Sequence, residues 1–509
     1  MHKFSSRLLL TAALSLLPLA SMAADETAIT IYSRATPGAV DPDMYRPVNG
    51  QSGYVGAGIP GYAVVRQVKN INLPQTQNIV KFSDVASLID PTTVQFKSLT
   101  DPAGTKVGEQ NYQFDLVSQQ KLLDKYIDKK ISVEQRADDK VETVEGTLLS
   151  TQGGITLKTD AGAIDALSSY SAIHFPELPG GLITKPTLVW NIFTDKPGDH
   201  RAEVSYETRG ITWWADYNLT YHEGKDAGSG TVDFGSWVSI VNQTGASYND
   251  AKLKLIAGDV ERVQQSWAGN GGMRYAKAQL AEALPPPPQF AEKSFFEYHL
   301  YTLSAPTTLP DNSTKQLELI PAVADVPVEK QFVYNGSEGY FWSGGVYTDQ
   351  AYGMSTGNKK VDVYLKLKNT KENGLGVPLP AGRIRVSQRD DDGALEFIGE
   401  NIIDHTARNE DVLIKLGNAF DVVGERKQLS YSLNTAQHTA TEEIEIKIRN
   451  QKKQPVKVKV VESLYRATGW DIEEASLDYT KENAHQIIFL VSAEPEKEQI
   501  VRYTVRYRW

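Results

Sequence analysis

Cysteine is absent from all 509 residues, which excludes disulfides, thiolate metal sites, cysteine nucleophiles and a lipid anchor on an N-terminal cysteine. Long hydrophobic runs are almost as scarce. Outside residues 8–19 nothing approaches the roughly 20 consecutive apolar residues of a membrane-spanning helix, so no transmembrane helix is expected. Concentrated positive charge is missing too: 53 Lys and Arg stand against 63 Asp and Glu, a net charge of -10, which disfavours nucleic acid as a partner. The eight histidines are scattered without metal-ligand spacing. No Gly-x-Ser-x-Gly elbow, His-Glu-x-x-His helix or phosphate-binding glycine loop occurs. No cofactor or metal is therefore expected, and the residues favour a binding protein over an enzyme.

What is present begins with the first 23 residues. Lys3 and Arg7 precede an apolar stretch over residues 8–19, and Ser21-Met22-Ala23 places small residues where a signal peptidase reads them. A stretch of about a dozen apolar residues is too short to span a bilayer core. Cleavage between Ala23 and Ala24 is expected, giving an exported bacterial protein free in the periplasm. Losing Lys3 and Arg7 takes the net charge of -10 to near -12 and leaves 486 residues, more than one core usually serves. A chain of that size can be stable outside the cytoplasm without disulfides.

Period-two alternation dominates that chain. Residues 361–368, 443–448 and 456–460 alternate strictly between apolar and polar, the signature of half-buried antiparallel strands. Gly153-Gly154, Asn335-Gly336 and Asp392-Gly393 punctuate them as turns. The expected class is mainly β: several antiparallel β-sandwich domains with an inserted small SH3-like or Sm-like β-barrel. Residues 24–120 and 180–199 would form the N-terminal sandwich, and residues 121–179 the inserted barrel with a short helical lead. Residues 200–345 would form a second sandwich, interrupted by a flexible Pro-rich insertion at 262–292, and residues 346–509 the C-terminal sandwich.

From His200 onward the residues resemble a known family. Residues 206–217 (Tyr206-Glu207-Thr208-Arg209-Gly210-Ile211-Thr212-Trp213-Trp214-Ala215-Asp216-Tyr217), Asn242-Gln243-Thr244-Gly245 and Leu255-Ile256-Ala257-Gly258-Asp259-Val260 are similar to the domain of unknown function numbered 4139. So are Gly376-Val377-Pro378-Leu379-Pro380-Ala381-Gly382, Asp404-His405-Thr406, Gly417-Asn418-Ala419-Phe420-Asp421 and Glu425-Arg426. The similarity runs in consistent order over roughly the last three hundred residues. Distant relatives include proteins called mucoidy inhibitors, a name that implies an envelope or exopolysaccharide link. Many relatives carry a coiled coil where this chain has the small barrel, so a role resting on that coiled coil does not transfer. The resemblance implies fold and compartment, and no catalytic residues.

Four residues are candidates for a binding site. If Arg209-Gly210 is a two-residue hairpin turn, Thr208 faces Ile211, Tyr206 faces Trp213 in the core, and Glu203 faces Asp216 on the opposite side beside Trp214. An exposed Trp214 between carboxylates would be a sugar-stacking platform, whereas packing of Trp214 against another sheet or the inserted domain is the preferred reading. Glu203 against Asp216 would need a cation, Arg201 or His200 to relieve it. His405, next to Asp404, could join an acid-base pair, but neighbours on a strand face opposite ways and a structural role is preferred. Asp390-Asp391-Asp392-Gly393 reads as a polar hairpin tip. A calcium loop aligned on Gly393 would put Gln388 first and Gly399 where a bidentate glutamate belongs.

The C-terminus alternates Val501, Tyr503, Val505, Tyr507 and Trp509 with polar residues, as the last strand of an outer-membrane barrel does. The rest of the chain lacks the many strands with apolar outer faces that such a barrel needs, so a closing strand of the last sandwich is expected, with outer-membrane association as a minor alternative. The functional expectation is a binding, scaffold or adaptor module at the cell envelope, with an envelope protein or glycan as partner. The alternative is an envelope polysaccharide- or peptidoglycan-acting hydrolase using carboxylates near Trp214.

Overall fold

The computed structural model describes residues 25–33, 35, 58–137, 140–258, 289–339, 343–353 and 357–509. The leader with its expected Ala23–Ala24 cleavage point and most of the 262–292 segment lie outside the described residues. Elsewhere the alternating stretches are strands, and the class is mainly β with several packed sheets.

The first sandwich is built on an eight-stranded sheet. Its order is Phe290–Phe295, Tyr298–Leu303, Tyr248–Ala257, Glu26–Ser33, Gly61–Leu73, Gly198–Thr208, Ile89–Ser98, with Thr307–Leu309 also paired to Tyr248–Ala257. Glu26–Ser33 runs parallel to Tyr248–Ala257, Ile31 opposite Leu255, and antiparallel to Gly61–Leu73, Ile31 opposite Ala63. A three-stranded sheet, Gln77–Phe82, Thr187–Phe193 and Lys106–Gln113, packs on it. Between the two, Trp190 is fully buried, its ring 5.3 Å from Phe82 and 5.4 Å from Phe96. Burial of each large apolar side chain of this kind stabilises the fold by roughly 1.5–3 kcal/mol.

The inserted module starts with the helix Gln119–Lys125, whose Ser118 cap accepts a hydrogen bond from the Lys121 amide. Five strands follow in the order Ala172–His174, Lys130–Ala137, Lys140–Ser150, Ile155–Lys158, Ile164–Leu167. No ladder joins the two edge strands among the described residues, so the expected barrel is an open sheet. It has a core of its own, with Leu123 and Tyr126 from the helix side against Ile131, Val133, Leu148 and Leu157.

The remaining strands form one continuous thirteen-stranded sheet. Its middle part runs Leu395–Ile403, Gly382–Arg389, Ile211–Glu223, Ser229–Asn242, Ser313–Asn335, Lys360–Lys368, Asp411–Asn434. Two strands are long enough to serve two modules, Ser313–Asn335 with 23 residues and Asp411–Asn434 with 24. Asp411–Asn434 pairs with Lys360–Lys368 through its first half and with Thr439–Asn450 through its second. The C-terminal part continues to Lys497–Arg508 and Gly469–Ala475, and Val456–Ser463, Gln486–Ala493 and Tyr479–Asn483 extend from the end of Ser313–Asn335.

In Lys497–Arg508, the alternation at the C-terminus sends Val501, Tyr503, Val505 and Tyr507 into the core of the last sandwich. The opposite face is ionic: Arg502 pairs with Glu445, Arg506 with Glu473 and Arg508 with Asp471. The strand is paired on both sides, by Thr439–Asn450 and Gly469–Ala475. Asp390-Asp391-Asp392-Gly393 is a hairpin tip between Gly382–Arg389 and Leu395–Ile403, closed by the Asp390 amide donating to the Ala394 carbonyl at 2.8 Å.

Candidate binding face on the middle sheet

The hairpin expected at Arg209-Gly210 does not form. Gly198–Thr208 already has both edges occupied, by Gly61–Leu73 and Ile89–Ser98, whereas Ile211–Glu223 pairs with Ser229–Asn242 and Gly382–Arg389. Gly210, at φ +79°, is where the chain leaves one sheet for the other. A Cβ there would lie 2.6 Å from Leu88 Cδ1 and 2.7 Å from the Gln243 carbonyl, so glycine is required by both conformation and space. Glu203 and Asp216 are consequently not opposite one another. Glu203 stands across from Val68 and Lys97 and accepts a 2.8 Å hydrogen bond from Arg66 Nε. Arg201 pairs with Glu26, and buried His200 contacts Ser98 Oγ at 2.9 Å and the Lys196 carbonyl at 2.6 Å. Neither relieves a carboxylate pair.

His405 is exposed at the isolated bridge between Leu379 and Thr406, where its Nδ1 accepts from the Ala381 amide at 3.0 Å. Trp214 and Asp216 do come together. Both side chains project from the outer face of Ile211–Glu223, while Trp213, Ala215 and Tyr217 enter the core, as a period of two requires. Trp214 is buried against Ile59, Val241 and Ala35, so it offers no stacking face. Its indole Nε1 donates to Asp216 Oδ2 at 2.7 Å, and Ser239 Oγ donates to the same oxygen at 3.0 Å.

Strand register then lines up the neighbours of Asp216 in one rung across the sheet. Arg383 lies opposite Asp216 on one side and Trp237 on the other, with Ile402 beyond Arg383 and Glu318 beyond Trp237. Adjacent strands are about 4.8 Å apart, so Arg383 and Trp237 are about 10 Å apart at the backbone. In the next rung Glu400, Arg385, Asn218 and Gly235 follow in the same order. Trp237 is 41% exposed, and the flank at Gly235 is open, because an added Cβ would meet nothing nearer than the Asn218 carbonyl at 3.5 Å.

The charges on this face are paired loosely. Arg383 Nη2 and Arg385 Nη1 lie 3.6 Å and 3.5 Å from Asp216 Oδ1, and Arg385 Nε lies 3.7 Å from Glu400. Asp216 Oδ1 and Arg383 Nε are buried without a hydrogen-bond partner among the described residues. Further along the same face His222 Nε2 contacts Asp233 Oδ2 at 2.9 Å, and that hydrogen bond holds the Asp233 carboxyl below its ordinary range. Beneath the face, burial pushes the Tyr217 hydroxyl well above its ordinary value while it donates to the Pro380 carbonyl at 2.7 Å. Among the described residues no group of three or more histidines and carboxylates is placed to hold a metal ion, and no helix is long and apolar enough to cross a membrane.

Trp237, Arg383 and Arg385 are the residues sequence reasoning passed over. Each occupies the polar phase of an alternating strand, in Gly235-Ser236-Trp237-Val238-Ser239 and Gly382-Arg383-Ile384-Arg385-Val386. A tryptophan in that phase is the available signal. Against known proteins, no family model, curated protein or solved structure matches the chain.

Proposed function

We propose that this chain is an exported, non-catalytic binding module of the bacterial cell envelope, working in the periplasm after removal of residues 1–23. The observation that carries the binding reading is the rung Arg383–Asp216–Trp237 with Arg385 in the next rung, an exposed indole and two weakly engaged guanidiniums on one sheet face. Such a face offers an aromatic surface and hydrogen-bond donors, the groups a binding site uses to fix the orientation of a ligand. The resemblance to the domain of unknown function 4139 supports the same compartment, and the leader supports export.

A hydrolase is the second reading, and one observation favours it: the Asp216 and Glu318 carboxylates stand one strand to either side of Trp237. Glycosidases use two carboxylates in such a flanking relation. Asp216, however, is buried and occupied by Trp214 and Ser239, which leaves it poorly placed to meet a glycosidic oxygen. In-cell crosslinking from position 237, followed by recovery of a stoichiometric envelope partner, tests the binding reading. Turnover of envelope polysaccharide by the purified chain, abolished in Glu318→Gln, would replace it with the hydrolase.

A further inference from the structure

The geometry points to a ligand class for this face: a pyranose carrying a single carboxylate, its ring on Trp237 and its acid on Arg385 and Arg383. This rests on the binding reading above and narrows it. An indole face packs against the C–H groups of a sugar ring, and a planar guanidinium matches a carboxylate in a two-pronged hydrogen bond. The guanidiniums of Arg383 and Arg385 make no hydrogen bond to a described residue, only ionic contacts at 3.5 Å and beyond. Arg383 is nevertheless only 18% exposed. A largely buried guanidinium with unused donors is costly unless something meets it.

Distance and charge both select the ligand. Arg385 and Trp237 lie two strands apart and one rung out of step, on the order of 12 Å at the backbone, a gap that their long side chains and one sugar ring can close. On the intervening strand the exposed amide of Asn218 offers both a donor and an acceptor to ring hydroxyls, and Gly235, beside Trp237 on its own strand, leaves room. Two arginines face two carboxylates, Asp216 and Glu400, with Glu318 a third beyond Trp237. Among anions, a single charge meets the least repulsion from them. A phosphate dianion would meet stronger repulsion from Asp216 and Glu400.

Isothermal titration of the mature chain with methyl galacturonoside, a single pyranose with one carboxylate, with its neutral methyl ester and with inorganic phosphate tests the assignment. Saturable binding of the galacturonoside is expected, at least about tenfold weaker for the ester and for phosphate. Trp237→Ala and Arg385→Gln are each expected to weaken it by about tenfold or more with the melting temperature unchanged. Arg385 is 36% exposed, so its substitution is a surface change and keeps the test valid if Arg383→Gln fails to fold. Equal affinity for the ester, tighter binding of phosphate, wild-type affinity in both variants or a flat titration would each overturn the ligand class. A flat titration with a protein partner captured at position 237 leaves the binding-module reading standing. A reducing end released from the galacturonoside would do the reverse, keeping the site and overturning the non-catalytic reading.

Discussion

The ion pair between Arg426 and Glu462 is fully enclosed in the C-terminal sandwich, with side-chain exposures of 2% and 0%. Arg426 Nε donates to Glu462 Oε2 at 2.8 Å, Tyr503 Oη donates to the same oxygen at 2.6 Å, and Arg426 Nη1 holds the Gly353 carbonyl at 2.6 Å. Burial opposes the charge on Arg426, but Glu462 together with Tyr503 and Tyr465 more than offsets it and raises the pKa of the guanidinium well above its ordinary value. Arg426→Met therefore leaves a buried carboxylate held by one phenol, and breaking a pair of this kind costs about 3–5 kcal/mol. For a domain of 150–250 residues, where 1 kcal/mol moves the midpoint by about 2–4 °C, the transition of this sandwich should fall by about 6–20 °C. Replacing both partners, Arg426→Met with Glu462→Met, removes the stranded charge and leaves the Tyr503 hydroxyl without that acceptor, while the Gly353 carbonyl keeps the Tyr465 hydroxyl at 3.3 Å. The double variant should therefore melt above Arg426→Met alone. Scanning calorimetry of the two single variants and the double variant measures this coupling. A double variant that loses the sum of the singles, or an Arg426→Met protein within about 2 °C of wild type, would refute the reasoning.

Buried tyrosines set an alkaline limit. Burial pushes Tyr221 up to about 12 and raises Tyr217, Tyr301 and Tyr503 well above their ordinary value of 10.0. Because the folded state keeps these protons above the pH at which the unfolded chain releases them, stability is complete below pH 10 and falls as pH rises toward 12. Absorbance at 295 nm should show their tyrosinate appearing together with loss of circular dichroism; full ionisation near pH 10 with the fold intact would contradict this. On the acid side, hydrogen bonding from Arg502 holds the Glu445 carboxyl below its ordinary 4.5, so its contribution is present above pH 4.5 and lost as pH falls through the lower folded value. Melting temperatures of Glu445→Gln should consequently vary less with pH below 4.5 than those of wild type, and parallel curves would count against the pairing. In the inserted module Leu157 is fully buried in a core that no other module shares, so Leu157→Ala should cost about 2–5 kcal/mol within the insert alone. Limited proteolysis should then nick residues 119–178 first; simultaneous loss of the whole chain would show that the insert is not an independent unit.

Much of this architecture was legible in the sequence because a period of two is a local property. Residues 361–368, 443–448 and 456–460 show which side chains face a core before any partner is known, and they lie in Lys360–Lys368, Thr439–Asn450 and Val456–Ser463. Sheet membership is not local. Thr208 and Ile211 are three residues apart with a glycine between them, the spacing of a hairpin, yet they belong to different sheets because strands more than a hundred residues away in sequence occupy the edges of Gly198–Thr208. The same nonlocality moved the candidate site. Trp214 attracted attention as one of two adjacent tryptophans, but its exposure depends on Ile59 and Val241, which its own neighbourhood in the sequence does not reveal.

The binding face is intelligible only after register is known. Alternation places Trp237, Arg383 and Arg385 on polar phases, and nothing in the spacing of residues 237 and 383 says that they share a rung. The parallel pairing of Ile211–Glu223 with Gly382–Arg389 brings them together, with Asp216 opposite Arg383. Parallel neighbours need a long crossover, here from Glu223 to Gly382, so the guanidiniums come from a segment far in sequence from the tryptophan. Residues 376–382 and 404–406 sit along that docking edge. The Pro378 and Pro380 carbonyls accept from Tyr301 and Tyr217, and His405 accepts from the Ala381 amide. These residues fix where Gly382–Arg389 enters the sheet and therefore the rung its arginines occupy. A one-residue slip there would turn Arg383 and Arg385 into the core and Ile384 outward, which the buried positions of Ile384 and Val386 strongly oppose. The hydrophobic phase of this strand thus secures the register on which the candidate site depends, even though neither Ile384 nor Val386 belongs to it.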